Sequence, residues 1–180
     1  SRMKPEDEMR LLVLLSVKEL GGVAQRKKVL DLIAERGWAI LSAKDKIPSE
    51  GQREPRWRIN FSYTRKRLLR EGLLDDSQHG KWSITDKGEQ YFYALLQQAI
   101  SFSSEQFSYI SNTGYKEIKA RCEELTELSD IAAIEGNTEY VEGGQVFSWT
   151  SRYERNSELR NRAIALHGVV CMGCGFEFGK

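Results

Sequence analysis

Apolar positions are crowded at the start of the chain and spaced out afterwards. "MRLLVLLSVKELGG" predicts a strongly apolar first helix, entered at Pro5 with Glu6, Asp7 and Glu8 in its first turn and stopped by Gly21-Gly22. In "VAQRKKVLDLIAERG", Val29, Leu32, Ile33 and Arg36 recur at three- and four-residue steps, which predicts a second helix ending at Gly37. Trp38 to Arg53 is polar and irregular around "KIPSEGQ" and reads as a loop with at most a short turn of helix. "PRWRINFSYTRKRLLREG" predicts a third helix: at 100° per residue Trp57, Phe61, Thr64 and Leu68 share one face, with Ile59, Ser62, Lys66 and Arg70 roughly opposite. "LLDDSQHGKWSIT" then predicts two short strands joined by a polar turn ending at Gly80. Thr85 is placed to N-cap a fourth helix, "DKGEQYFYALLQQAI", with Tyr91, Phe92, Leu95 and Ala99 inward.

The order and lengths of these elements predict a winged helix-turn-helix over residues 4–100. Within it, "RKRLLREGLLDDSQHGKWSITDKGEQY" resembles a pattern found in many winged-helix domains, among them the N-terminal domain of the Mrr family of restriction proteins, over about residues 8 to 100. Residues 101–150 change character and are expected to be a helical and extended linker. "GYKEIKARCEELTELSDI" is an acidic amphipathic helix whose apolar stripe includes Cys122, read as a buried small hydrophobe, and "EGNTEYVEGGQVFSWT" suggests one or two strands.

Charge sharpens this picture. The chain carries a formal net charge of +1, but residues 1–100 hold an excess of Lys and Arg and residues 101–180 an excess of Asp and Glu. Arg53, Arg56, Arg58, Arg65, Lys66, Arg67 and Arg70 fall close together with Glu54 as the one acid among them, which suits a polyanion. The third helix is therefore expected in the major groove of double-stranded DNA. Arg53, Arg56, Arg58, Lys66 and Arg70 would take phosphates or guanine edges, Asn60, Ser62 and Tyr63 would be available for bases, and His79 and Lys81 would act from the wing. No cofactor is needed for such binding. With no long apolar run or export signal and an odd cysteine count, a cytoplasmic location without membrane contact is expected.

Residues 151–180 raise a different chemistry. "SELRNRAIALH" predicts a helix with Asn156 as N-cap and Gly168 as stop, followed by "VVCMGCGFEF". Cys171 and Cys174 at this spacing, in a tight turn, can both reach a tetrahedral structural Zn2+, as half a site; a redox pair and two unligated thiols are the alternatives. Glu142-Gly143, "RYERN" at 152–156, "HG" at 167–168 and "CMGCGFEF" at 171–178 resemble the lead-in to the HNH endonuclease domain of McrA-type restriction enzymes.

The resemblance implies an α+β, mainly helical protein: a winged helix, a helical linker and an incomplete ββα-metal unit. It implies hydrolysis of DNA by a complete HNH enzyme with a divalent metal such as Mg2+ and a His pair expected beyond residue 180, so this chain alone is expected to be inactive. Such pairings also suggest methylated DNA, adenine before cytosine, with Trp38, Trp57, Trp82 and Tyr63 as the aromatics near the expected interface, Trp57 and Trp82 being read as core residues in the first place. The alternative is a winged-helix transcriptional regulator that forms a homodimer through the acidic helix.

Overall fold

The computed structural model describes residues 2–136. Helix α1 (Pro5–Glu19) begins at a proline, carries Glu6, Asp7 and Glu8 in its first turn, and ends where Gly22 N donates to Val17 O at 2.8 Å. Leu11 through Val17 are all buried, as a helix must be that touches neighbours on every side. It is the axle of the fold, packed against α2 (Arg26–Glu35), α3 (Arg56–Arg70) and α4 (Asp86–Ile100).

Three short strands form one antiparallel sheet in the order β1 (Val23–Gln25), β3 (Lys81–Ile84), β2 (Leu74–Asp75). The first is a correction to the sequence reading, which ran the second helix back to Val23. Pairing of Val23, Ala24 and Gln25 with Ser83, Trp82 and Lys81 gives these backbone groups partners that a helix start would leave open, so α2 begins only at Arg26. The sheet thus has a strand on either side of β3, and the β2–β3 turn is the wing.

The other expectations for this part hold. Trp57, Phe61, Thr64 and Leu68 are the buried residues of α3. Gly72, at φ 71°, ends α3 and turns the chain into β2; Leu73 N donates to Leu68 O at 2.9 Å across this stop. Thr85 caps α4 by accepting from Gly88 N at 3.0 Å. Gly88 also has to be glycine, because an added Cβ would lie 2.0 Å from Leu73 O, and this close approach seats α4 on the root of the wing. Phe92, Leu95 and Ala99 of α4 are buried and Tyr91 is half-buried.

Beyond α4 the chain remains part of the same body. A turn of 3-10 helix (Ser104–Gln106) leads to α5 (Asn112–Gly136), and Phe107, Ile110, Ile118, Cys122 and Leu125 join the core. The front of the acidic helix's apolar stripe is therefore used within the fold, while Leu128 and Ile131 further along are exposed. Burial pushes the Cys122 thiol up to about 11, as befits a small hydrophobe rather than a nucleophile. Glu8, fully buried, accepts hydrogen bonds from the backbone N–H groups of Ser108 (2.9 Å), Tyr109 (2.5 Å) and Ile110 (3.3 Å), which ties the start of α1 to the approach of α5.

A second polar clamp closes the opposite side of α1. Arg10 donates two bonds to the Glu71 carboxylate at 2.8 and 2.7 Å and one to Glu6 at 3.0 Å. The Arg10 guanidinium holds the Glu71 carboxyl below its ordinary 4.5, and Arg67 above all, with help from Arg10, does the same for Glu6. A carboxyl lowered in the folded state adds stability that is present above its unfolded value and lost as pH falls through the folded one. The urea midpoint is therefore expected to drop as pH falls below about 4.5, and Arg10→Met is expected to flatten that acid limb. Denaturation of both proteins followed from pH 6 to pH 3 checks this.

Among the described residues no helix is long and apolar enough to cross a membrane. The helix expected at 157–167, the strands expected near 137–150, Cys171 and Cys174 all lie outside the described residues.

Candidate nucleic-acid interface

Helix α3 follows Pro55, whose extended ψ of 140° starts a helix cleanly. With Trp57, Phe61, Thr64 and Leu68 turned inward, its outward face carries Asn60, Tyr63, Lys66 and Arg70, all exposed. Tyr63 is 57% exposed, and the Lys66 ammonium sits 5.2 Å from its ring centroid, so an aromatic and a cation are presented side by side. Neither Lys66 nor Arg70 forms an ion pair within 4 Å of a carboxylate among the described residues. These are groups a phosphate or base edge could engage without first breaking an ion pair.

The rest of the basic cluster is used differently. Arg58 donates to Asp31 on α2 at 2.9 Å, lies 3.8 Å from Glu54, and stacks over Trp57 at 5.4 Å. Arg67 is paired with Glu6 at 2.9 Å, and Arg65 lies over Trp82. Arg56 donates to Ser49 at 3.0 Å, fastening the preceding loop. Ser62 accepts from Arg26 at 2.9 Å and donates to Arg58 O at 2.8 Å, so its hydroxyl is occupied in the α2–α3 contact. Arg53 is exposed in the loop just before α3. Of the residues singled out on α3 from sequence, the structure brings Asn60, Tyr63, Lys66 and Arg70 to one open face and sets Arg58 and Ser62 into the packing beneath it.

The aromatic expectation is revised. Trp38, Trp57 and Trp82 are 1%, 7% and 4% exposed, because each fills the core between helices or under the sheet. None can stack on a base without unpacking the fold, which leaves Tyr63 as the open aromatic of this face.

The wing turn, residues 76–80, is set by Asp75, whose carboxylate accepts from Ser77 N at 2.6 Å, and by Gly80. It holds His79 and Lys81 exposed, Lys81 donating to Gln78 at 3.2 Å. Between the wing and the start of α2 lies an open groove of about 540 Å3 in which Lys81 and Gln78 face Gln25 and Lys28. Lys28 was missed by sequence reasoning. Its signal would have been a strand at Val23–Gln25, which places the first turn of α2 beside the wing.

Glu54 is the acid inside this positive face. It takes two bonds from Arg26 at 3.0 and 2.6 Å, and the Arg26 guanidinium holds its carboxyl below the ordinary carboxylate range. Removing its charge is expected to leave Arg26 without an internal counter-ion, Arg58 keeping Asp31, and to raise affinity for mixed-sequence duplex DNA about two- to fivefold at low salt. Titration of Glu54→Gln against the parent protein at 50 mM salt checks it.

Comparison with known families bears on this part of the chain. Residues 7–94 match the family model described as the Mrr N-terminal domain. The match runs from the first turn of α1 into α4 and so takes in the sheet, α3 and the wing. No curated protein and no solved structure matches the chain. Element order, the three-stranded sheet and this match agree on a winged-helix fold for residues 7–94 that is similar to the Mrr N-terminal domain.

Proposed function

We propose that the Mrr-type winged helix at residues 7–94 is the DNA-reading domain of a restriction-type protein, binding double-stranded DNA through the outward face of α3 with the wing alongside. The observation that carries this is the division of labour among the cations. Arg10, Arg26, Arg58 and Arg67 are consumed by internal carboxylates, whereas Lys66 and Arg70 stand exposed beside Tyr63 with none among the described residues. Lys66 and Arg70 thus stand as open cations on a face that a groove can admit.

The wider reading, specificity for an HNH endonuclease, is supported by "RYERN" and "CMGCGFEF" at residues 152–178. In that reading Cys171 and Cys174 contribute half of a structural zinc site, and Mg2+ with a His pair would supply hydrolysis in the complete enzyme. The residues described here are assigned binding. A role in reading methylated DNA falls to Tyr63, the exposed aromatic of α3, with N6-methyladenine as the first candidate.

Fluorescence anisotropy with matched duplexes, unmodified, adenine-methylated or cytosine-methylated, tests both levels. Binding to all three is the expected minimum, and a preference for the adenine-methylated duplex that Tyr63→Ala erases is the expected sign of methyl reading. Equal binding to all three would retain the DNA reader and end the methyl proposal.

A further inference from the structure

The chain between α2 and α3 is much longer than a helix-turn-helix requires. Three or four residues suffice for such a turn, yet here residues 36–55 intervene. Long loops in a compact domain are commonly functional, and this one has a fixed course rather than a loose one. Ser42 caps it by donating to Asp45 at 2.6 Å, and Gln52 N donates to Ser49 O at 2.9 Å. Pro48 and Pro55 form an antiparallel bridge. Two further bonds tie its tip to the first turn of α3: Arg56 N to Ile47 O and Trp57 N to Asp45 O, both 3.1 Å.

The residue held at that tip is apolar and open. Ile47 is 57% exposed, matching Tyr63 as the most exposed large hydrophobic side chain among the described residues. Lys44, Lys46 and Arg53, all exposed, lie in the same loop with Glu50 as its exposed acid, and Asp45 is turned back onto Ser42. Nothing in the core calls for an isoleucine here. What does is its position: the N-terminal residues of a recognition helix are those that meet base edges, and Ile47 is bonded through its carbonyl to the first residue of α3. The apolar group a major groove offers is the C5 methyl of a pyrimidine.

We propose that the loop at residues 38–55 is a second reading element, in which Ile47 contacts a pyrimidine C5 methyl group beside the bases met by α3 while Lys46 and Arg53 hold the flanking phosphates. The inference rests on the DNA-reading function above, and its occupant is argued from continuity with the α3 face and from the charge around the tip.

The test uses the full chain and a duplex recovered by it from a randomised pool. Binding is compared for that duplex and the same duplex with uracil in place of thymine, using the parent protein and Ile47→Ser. The parent is expected to lose about three- to fivefold on removal of the methyl groups. Ile47→Ser is expected to bind the thymine duplex weaker by a similar factor and to discriminate less between the two. An unchanged affinity of Ile47→Ser, or an equal response of both proteins to uracil, overturns the proposal. If Lys66→Ala then still weakens binding, only the loop's role has failed; if the parent binds no duplex, the DNA-reading function falls with it. Circular dichroism and thermal melting confirm that the exposed substitution leaves the fold in place.

Discussion

Reversing Lys66 and Arg70 together to glutamate is expected to weaken duplex binding by about a hundredfold or more near 0.1 M salt, through lost phosphate contacts and new repulsion. Both side chains are exposed on α3, so the folded domain is expected to keep its stability to within about 0.5 kcal/mol. The control is Lys116→Glu with Lys119→Glu, which makes the same change of net charge at exposed positions of α5. Screening over roughly 10 Å at this salt means that a distant pair affects binding weakly. Comparable losses in the two double variants would show that only the total charge matters and that α3 has no special place in the interface.

Glu8→Ala is expected to cost about 3 kcal/mol or more, because three backbone N–H groups lose their shared acceptor in a buried site. The Glu8 carboxylate is 0% exposed and meets Ser108, Tyr109 and Ile110 at 2.5–3.3 Å. Its loss frees the segment that carries Phe107 and Ile110 into the core, so the damage should reach α5 as well as α1. A thermal midpoint lower by about 6–12 °C would correspond to that cost in a chain of this size. Glu8→Gln, which keeps one acceptor oxygen, is expected to lose less. Amide exchange at residues 108–110 that rises in step with the drop in midpoint would place the effect at this contact.

The placement of Glu8 could have been noticed earlier. Leu12 and Leu15 follow it at four and seven residues, so it stands in the apolar stripe of α1, where a carboxylate needs a buried partner. Its partner could not have been named, since the amides lie a hundred residues away. The core face of α3 was legible because Trp57, Phe61, Thr64 and Leu68 obey a local period, and Thr85 was legible as a cap because its partner is three residues on. The strand at Val23–Gln25 was hidden because three residues carry too little pattern, and their pairing with Lys81–Ser83 comes from far along the chain. The same limit blurred the interface. Spacing alone gathers seven cations around α3, but only the folded chain reveals that Asp31 and Glu6 take Arg58 and Arg67 while Lys66 and Arg70 stay open.

Whether α3 meets the DNA phosphates is decided by the salt dependence of duplex binding for the parent protein and for Lys66→Ala with Arg70→Ala. Log K is expected to fall linearly with log salt for the parent, and the double variant's slope to be shallower by about 1.8, the contribution of two released phosphate counter-ions. Parallel lines of equal slope, or a parent protein whose affinity ignores salt, would contradict the assignment of α3 as the DNA-reading helix.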